Sequence, residues 1–471
     1  MQKTRKKRWL SVCLCLAICL TVLPGHKEAQ AKVKISAESG IVMDVQSGTI
    51  LYSKNIDKKE YPASITKVMT ALVAIENSSL SETVTFSYDA VMNLESGASN
   101  IGTQVGEKMT MEECLYAILL MSANEVCNGV AEHIAGSIDG FIKMMNNRAK
   151  ELGCTGTHFV NANGLWKKNH YTTAHDMALI ARAAYKNPTF AKITGTKRYN
   201  IPKTNKAKNG HALYNHHGML YASTFPQYVY EYCVGGKTGY TSKCRYTLVT
   251  FAKKDDMTLV SVIMKAPNSP WVEPNEYTDS TSLLNSCFES YSRHKIRNET
   301  LSTANDQNLF TKFSPIYNSD TSPLSIDADA GVILPKGVAL NKAQKKVDFY
   351  ESAKGGADGE KIIGKLTYTY NGKEVGGSEI YYSDKGAPTL KDSIDMSEWF
   401  DDAVEKANQE PFPWKTVIVF VLLVLALGAT VLLLVLRLRS QREQRNRKTR
   451  YKRTWGKTRR RSTRTYYHRR R

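Results

Sequence analysis

The chain is organised around a short segment that reads Pro62-Ala63-Ser64-Ile65-Thr66-Lys67. Its serine lies three residues ahead of its lysine at the start of a helical segment, so both side chains share one helix face. A serine hydroxyl is a poor nucleophile until a nearby base takes its proton, and the Lys67 amine is placed to do so. About three Ser-x-x-Lys matches arise by chance at this composition, so the pair needs support from the rest of the chain.

The net charge of +21 is concentrated at the two ends of the 471-residue chain. Residues 1–8 carry +5 and residues 437–471 carry +16, which leaves the intervening chain formally neutral. The basic character therefore gives no reason to expect that the central region binds nucleic acid. The length is sufficient for two or three domains with a sizeable core.

Residues 1–31 have the pattern of a secretory signal peptide. A basic start precedes an apolar run, and Ala29-Gln30-Ala31 supplies small residues typical of a cleavage site. An uncleaved N-terminal anchor is the alternative interpretation. In either case we expect the chain that follows to be exported.

A second apolar run, residues 416–436, has no charged residue across 21 positions and spans about 31 Å as a helix. The basic block after it fits the positive-inside rule, which predicts a single-pass cell-membrane protein with residues 437–471 in the cytoplasm. We expect this tail to be disordered and to lie near anionic lipid headgroups. Its Tyr and Trp residues would also suit nucleic acid, but membrane topology explains the charge more simply.

No metal or other cofactor is expected. The six cysteines after the signal lack paired C-x-x-C spacing, and His211, His216 and His217 have no acidic or thiol ligand at a suitable spacing, so we interpret them as loop histidines. Export would permit disulfides in any of 15 connectivities, whereas buried free thiols, which we slightly favour, suit a domain with a large core. The six are Cys114, Cys127, Cys154, Cys233, Cys244 and Cys287.

Hydrophobic patterns predict an α+β domain with a helical block and an antiparallel sheet. The first predicted helix follows Pro62, and a second covers 114–121 after a capping box at Thr110–Glu113. Further helices are predicted over 139–152 (N-cap Asp139), 177–186 and 277–291. The predicted strands form a hairpin over 40–52 and consecutive strands at 230–238, 246–252 and 258–264. Residues 300–388 read as a small all-β domain with a hairpin turn at Asn371-Gly372, and 389–415 as an acidic linker.

Two further motifs follow Ser64 and Lys67 in order. Ser122-Ala123-Asn124 is expected at a helix end and Lys237-Thr238-Gly239 at a strand end, and the latter is expected by chance only about 0.2 times. Each could be a helix terminus or a turn when taken alone. Their common order makes coincidence an unsatisfactory explanation and favours a serine acyltransferase that uses Ser and Lys instead of a Ser-His-Asp triad.

In these motifs the chain resembles the low-molecular-weight penicillin-binding proteins, which are serine-type D-alanyl-D-alanine carboxypeptidases. The resemblance covers about residues 35–290 and, more weakly, the family's C-terminal domain at 300–388. It implies a β-lactamase/transpeptidase-like three-layer catalytic domain at 32–295. Further matching stretches are Gly40–Asp44 with Gly48, Tyr61–Thr70, Asn163-Gly164-Leu165, Tyr171–Ala178 and Gly236–Thr241.

The resemblance also implies roles in acyl transfer. Ser64 would be the acylated nucleophile and Lys67 its base, while Ser122 would relay the proton to the leaving D-alanine. Asn124 would hold the substrate amide and position Lys67. The backbone N–H groups of Ser64 and Tyr240 would form the oxyanion hole.

Substrate binding would fall to the third motif. Lys237 and Thr238 would bind the terminal D-Ala carboxylate, and Gly239 would let the substrate approach as an added strand. Two departures from the common pattern leave rate and substrate range open. Glu125 stands where the family often has aspartate, and Arg245 adds bulk and charge near the cleft mouth.

The sequence therefore predicts a membrane-anchored D,D-carboxypeptidase that trims peptidoglycan stem pentapeptides and is inhibited by β-lactams. A β-lactamase-like hydrolase is an alternative, although no Ω-loop glutamate of the class A kind is evident. A catalytically silent peptidoglycan-binding membrane protein is a third interpretation.

Overall fold

The computed structural model describes residues 33–95, 97–221, 226–267, 275–296, 324–355 and 360–382. The predicted signal peptide, linker, membrane span and basic tail lie outside these residues. Within them, no helix combines the length and apolar character needed to cross a bilayer.

The strands are numbered along the chain. They are β1 (Ser39–Asp44), β2 (Ile50–Lys54), β3 (Thr83–Thr85), β4 (Lys108–Thr110), β5 (Arg198–Ile201), β6 (His211–Tyr214), β7 (Cys233–Thr241), β8 (Arg245–Lys254), β9 (Met257–Ala266), β10 (Tyr291–Lys295), β11 (Leu324–Ile326), β12 (Gly331–Pro335), β13 (Gln344–Gly355), β14 (Lys361–Tyr370) and β15 (Lys373–Tyr382).

The α-helices are numbered in the same way. They are α1 (Lys67–Asn77), α2 (Tyr88–Met92), α3 (Met111–Leu120), α4 (Asn124–Ala135), α5 (Ile138–Glu151), α6 (Ala174–Lys186), α7 (Pro188–Thr194) and α8 (Asn275–Ser290). A short 3-10 turn, Ala63–Thr66, leads directly into α1.

A five-stranded antiparallel sheet in the order β2-β1-β9-β8-β7 divides two hydrophobic cores. Strands β8 and β9 are buried along most of their length because both faces of the sheet are covered. Helix α8 packs on one face through Leu283 and Leu284, and the block that includes α1 and α6 packs on the other. This arrangement confirms the predicted α+β architecture with an antiparallel sheet, and β7 is left at the sheet edge.

A second antiparallel sheet has the order β10-β12-β15-β14-β13, with β11 paired to β15. Asn371 and Gly372 both have positive φ, at 51° and 76°, in the turn that joins β14 to β15. This is the backbone that an Asn-Gly hairpin favours, so the predicted turn is confirmed.

Local capping explains where several helices begin. The Thr110 hydroxyl accepts the Glu113 N–H and the Glu113 carboxylate accepts the Thr110 N–H, which confirms the predicted capping box. The predicted cap of α5 was wrong, because Ser137 rather than Asp139 accepts the Gly140 N–H. Helix α8 also ends at Ser290, one residue before the predicted end, because Tyr291 pairs with β12 as the first residue of β10.

Three helices were missed, namely α2, α4 and α7. Two of them, α4 and α7, begin within a few residues of the end of the preceding helix. Asn187 ends α6 and caps α7, accepting the N–H groups of Thr189 and Phe190. Helix α4 likewise begins at Asn124, only three residues after Met121 closes α3. The third motif was placed at a strand end, whereas Lys237-Thr238-Gly239 lies inside β7, which continues to Thr241.

Candidate active site

Ser64 and Lys67 meet at the junction between the 3-10 turn and α1. The Lys67 Nζ lies 3.1 Å from the Ser64 Oγ, as the i,i+3 spacing predicts. Ser64 is half-buried, whereas Lys67 has no exposed surface. The serine is therefore partly accessible to solvent while its neighbouring amine is shielded from water.

The Lys67 amine has two further partners. Its Nζ donates to the Asn124 Oδ1 at 2.8 Å and to the Asn163 backbone oxygen at 2.5 Å. Burial lowers the pKa of Lys67, although the nearby Cys127 and Glu125 oppose the shift. A neutral amine can donate both protons to these oxygens and keep its lone pair for the Ser64 hydroxyl, which is the state that a base requires.

Ser122 lies in the connection between α3 and α4. Its φ is +60°, a left-handed conformation that costs on the order of 1 kcal/mol for a residue with a Cβ. Its hydroxyl is buried and has no hydrogen-bond partner among the described residues. A buried, unpartnered hydroxyl in a strained turn has its donor and acceptor capacity available for a ligand.

Asn124 and Glu125 fix a loop beside the cleft. The Asn124 side-chain amide and backbone N–H both donate to the Ser99 oxygen, at 2.8 and 2.9 Å. The Glu125 carboxylate accepts the Ile101 N–H at 2.7 Å and the Thr103 hydroxyl at 3.2 Å. Burial raises the pKa of Glu125. Glu125 therefore holds the 99–103 loop, and Asn124 links that loop to Lys67.

Lys237 lies inside β7 with 2% of its surface exposed, and its Nζ donates to the Thr238 oxygen at 2.9 Å. Burial, reinforced by the positive field of Lys67, lowers the pKa of Lys237 to about 7. Thr238 is half-buried beside it. The motif thus presents a titratable cation and a hydroxyl close to Lys67.

Gly239 brings β7 against the nucleophile turn. A Cβ at this position would lie 2.4 Å from the Thr247 Oγ1 and 2.9 Å from the Ser64 nitrogen, so only glycine fits. The Thr247 hydroxyl also donates to the Pro62 oxygen at 2.8 Å. The backbones that carry the N–H groups of Ser64 and Tyr240 therefore run side by side.

The β7–β8 turn carries Arg245, one of the two residues that depart from the family pattern. Arg245 is exposed, has φ +58° and pairs with Thr241 across the β7–β8 hairpin. The ring centroids of Tyr240 and Tyr246 lie 4.6 Å apart nearby, with the ring planes tilted by 38°. Bulk and charge therefore lie at the turn that joins β7 to β8.

The role of Asn163 was missed by sequence reasoning. Asn163-Gly164-Leu165 stood out only as a matching stretch, whereas the Asn163 carbonyl accepts a hydrogen bond from Lys67. Gly164 has φ +84°, and a Cβ there would lie 2.0 Å from the Ala63 oxygen. A backbone carbonyl has no residue-type signature, so only close packing of this glycine against the turn could have indicated it.

The remaining candidate residues have ordinary partners. His211 contacts the Glu107 carboxylate at 2.8 Å, and His217 contacts the Thr250 hydroxyl at 3.1 Å. The His216 backbone N–H donates to the Leu120 oxygen. No group of three potential ligands that could hold a metal occurs in the described part of the chain. The six cysteines lie buried as free thiols.

Comparison with known proteins identifies relatives across most of this region. The family model described as D-alanyl-D-alanine carboxypeptidase, peptidase S11, matches residues 26–268. The D-alanyl-D-alanine carboxypeptidase DacF of Bacillus subtilis is 30% identical over 386 residues, covering 79% of this chain and 93% of that protein. DacB2 of Mycobacterium tuberculosis is 34% identical over 230 residues, covering 48% and 74%.

Solved structures agree with this likeness. Penicillin-binding protein 5 of Haemophilus influenzae has a TM-score of 0.56 at 24% identity, covering 74% of this chain and 97% of that one, and supports the fold alone. A mutant of the Streptomyces K15 DD-transpeptidase has a TM-score of 0.50 at 29% identity, covering 55% and 99%. The family match over residues 26–268 and the near-complete coverage of the Bacillus relative show that the chain belongs to the D-alanyl-D-alanine carboxypeptidase family, peptidase S11, and is a serine-type carboxypeptidase.

Proposed function

We propose that this protein removes the terminal D-alanine from peptidoglycan stem pentapeptides through an acyl-enzyme on Ser64, and that β-lactams inhibit it by acylating the same residue. The observation that carries the proposal is the buried Lys67 amine, 3.1 Å from the Ser64 hydroxyl, with its pKa lowered by burial. A base of this kind activates serine without a histidine.

In the acylation step, the Ser64 Oγ attacks the carbonyl carbon of the penultimate D-alanine as Lys67 takes the hydroxyl proton. The carbon–nitrogen bond breaks, and the leaving D-alanine amine receives a proton through the Ser122 hydroxyl, whose capacity for hydrogen bonding is open. The N–H groups of Ser64 and Tyr240 stabilise the developing oxyanion, a contribution worth about 10²–10³ in rate per donor.

In the deacylation step, water attacks the Ser64 ester. Lys67 accepts a proton from this water and a proton returns to the Ser64 Oγ as the shortened peptide leaves. Asn124 keeps the amine in place through its 2.8 Å contact with the Lys67 Nζ. The same amine therefore acts as the general base in both half-reactions.

Substrate selection rests on β7. Because β7 is the edge of the five-stranded sheet, an extended peptide can pair with it as an added strand. Protonated Lys237 and the Thr238 hydroxyl would then bind the terminal carboxylate through charge-assisted hydrogen bonds. This contact favours a carboxypeptidase over an endopeptidase, since an internal peptide bond presents no carboxylate.

We further propose a catalytic domain at 32–295, a β domain at 300–388 and an anchor at 416–436, with the catalytic domain outside the cell membrane and residues 437–471 inside. The apolar run and the basic block that follows it support this topology. Protease treatment of intact cells should remove the catalytic domain and spare the tail. Removal of the tail instead would overturn the orientation.

Release of D-alanine tests the activity directly. The detergent-solubilised full chain is incubated with an N-acylated peptide that ends in D-Ala-D-Ala, and D-alanine is quantified for wild type and for Ser64→Ala. We expect release that depends on Ser64. No release by wild type would refute the proposal, and penicilloyl-adduct turnover within seconds would favour a β-lactamase instead.

A further inference from the structure

A second chain of hydrogen bonds reaches the nucleophile turn without passing through Lys67. The His170 Nε2 lies 2.9 Å from the Thr66 Oγ1, and the Thr66 Oγ1 lies 2.8 Å from the Ala63 oxygen. Thr66 is completely buried and His170 is 1% exposed. The roles proposed above do not use either side chain.

The contacts of the ring determine the direction of this chain. The Val160 N–H donates to the His170 Nδ1 at 3.1 Å, so that nitrogen carries the lone pair and the ring proton resides on Nε2. Nε2–H then donates to Thr66, which in turn donates its hydroxyl proton to the Ala63 oxygen. Burial lowers the pKa of His170 to about 3, and the charges of His158 and Lys67 act in the same direction. The ring is therefore neutral throughout the neutral pH range.

The Ala63 carbonyl and the Ser64 N–H belong to one planar peptide unit, and they point in opposite directions. A hydrogen bond to the Ala63 oxygen thus fixes the direction of the Ser64 N–H and increases its polarity. Ala63 needs such support because its φ is +52°, a conformation that costs roughly 1–2 kcal/mol for a residue with a Cβ. Gly164 packs closely against the same carbonyl, since a Cβ there would lie 2.0 Å from the Ala63 oxygen.

We propose that His170 and Thr66 are positioning residues that orient and polarise the Ser64 N–H as an oxyanion donor. This inference rests on the proposed function. The His170–Thr66–Ala63 relay would help to stabilise the tetrahedral intermediate and would not contribute to binding of the substrate carboxylate. Lys237 and Thr238, which would bind the carboxylate, lie on β7, and the Lys237 Nζ donates to the Thr238 oxygen instead of to the relay.

Matched variants separate this role from simple stabilisation. Thr66→Val keeps the side-chain shape but removes the hydroxyl, whereas Thr66→Ser keeps the hydroxyl. His170→Gln retains an acceptor and a donor two bonds apart, as in the neutral ring, and His170→Leu removes both. Thr70→Val is the control, because Thr70 lies one turn further along α1 and donates to the Ala162 oxygen of the same loop at 2.5 Å without reaching Ala63.

The measurements use the full chain in detergent. They are kcat and KM on a D-Ala-D-Ala peptide, the acylation rate with a fluorescent penicillin, and the affinity for an acylaminoethyl boronic acid, which forms a tetrahedral adduct with serine. For Thr66→Val and His170→Leu we expect kcat, acylation rate and boronate affinity to fall about tenfold or more, with KM within about twofold. Thr66→Ser and His170→Gln should recover most of each loss, and Thr70→Val should lower the melting temperature alone.

Suppose that penicillin acylates wild type, and that Thr66→Val, His170→Leu and Thr70→Val all have the same acylation rate and boronate affinity. This result would overturn the relay and leave the proposed function intact. A proportional change in KM would overturn it as well, since the effect would then lie in ground-state binding. If wild type neither released D-alanine nor reacted with penicillin, the proposed function itself would fail and the relay with it.

Discussion

The pH dependence of substrate binding provides a sharp test of Lys237 as the carboxylate ligand. Burial and the neighbouring Lys67 lower its pKa to about 7 in the free enzyme, so its charge changes within the working pH range. Only the ammonium form can make a charge-assisted hydrogen bond to a carboxylate. The protonated fraction falls from about 0.9 at pH 6 to about 0.1 at pH 8, so KM should rise about tenfold, equivalent to about 1.4 kcal/mol.

The assay measures KM between pH 5.5 and 8.5 with an N-acylated peptide that ends in D-Ala-D-Ala. The substrate carboxylate has a pKa of about 3.5 and stays ionised over this range, so any titration belongs to the enzyme. Lys67 acts on the chemical step and should affect kcat. The variant Lys237→Gln should bind weakly at every pH and lose the slope in KM.

Two results would contradict this reasoning. A flat KM from pH 6 to pH 8 in wild type would mean that Lys237 keeps one charge state or does not contact the carboxylate. The same slope in Lys237→Gln would assign the titration to another group. Either result would remove the physical basis for preferring a carboxypeptidase at this site.

Four further outcomes are expected. Lys237→Met should raise the free energy of unfolding at pH 6 by up to about 5 kcal/mol in chemical denaturation, because burial lowers the pKa of Lys237 from 10.5 to about 7 and the cost of burying its charge is fully present below pH 7. An unchanged or lower free energy of unfolding would contradict the pKa shift. Gly239→Ala should lower penicillin acylation about 100-fold, since the new Cβ would lie 2.9 Å from the Ser64 nitrogen, whereas Gly355→Ala, with open space around it, should not. Ser122→Ala should lower kcat about 10²–10⁴-fold with little loss of stability, because its hydroxyl has no described partner; wild-type turnover would exclude the relay role. Thr110→Ala should destabilise the protein by about 1 kcal/mol in the same denaturation assay through loss of the capping box, without changing kcat.

Features that depend on local chemistry could be predicted from the sequence. The i,i+3 spacing placed the Lys67 amine beside the Ser64 hydroxyl, and both the capping box at Thr110 and the turn at Asn371 follow from short-range hydrogen bonds and backbone preference. These features need no knowledge of the rest of the fold. The three motifs also stand close together as their order suggested, because Asn124 contacts Lys67 and Gly239 packs against Ser64.

Features that depend on tertiary packing could not be predicted in this way. The end of α3 was predicted, but helix α4 was missed because Ser122 and Ala123 resemble a helix end, and nothing local shows that a second helix starts at once. The Asn163 carbonyl reaches Lys67 only because Gly164 lets its loop pack on the turn. Backbone groups and close approaches leave almost no trace in residue type, so they must be observed in the structure.

The site gathers several arrangements that would each destabilise an isolated segment. Ala63 and Ser122 have left-handed backbones, and Lys67 and Lys237 are buried amines whose charged forms are disfavoured. They persist because the turn and the first half of α1 are buried and held by three elements. These elements are β7, the loop that contains Asn163, and α4. A fold stable enough to bury an amine beside a serine, and so to lower the pKa of that amine, can use it as a base, so the large three-layer core is itself a requirement of Ser-Lys chemistry.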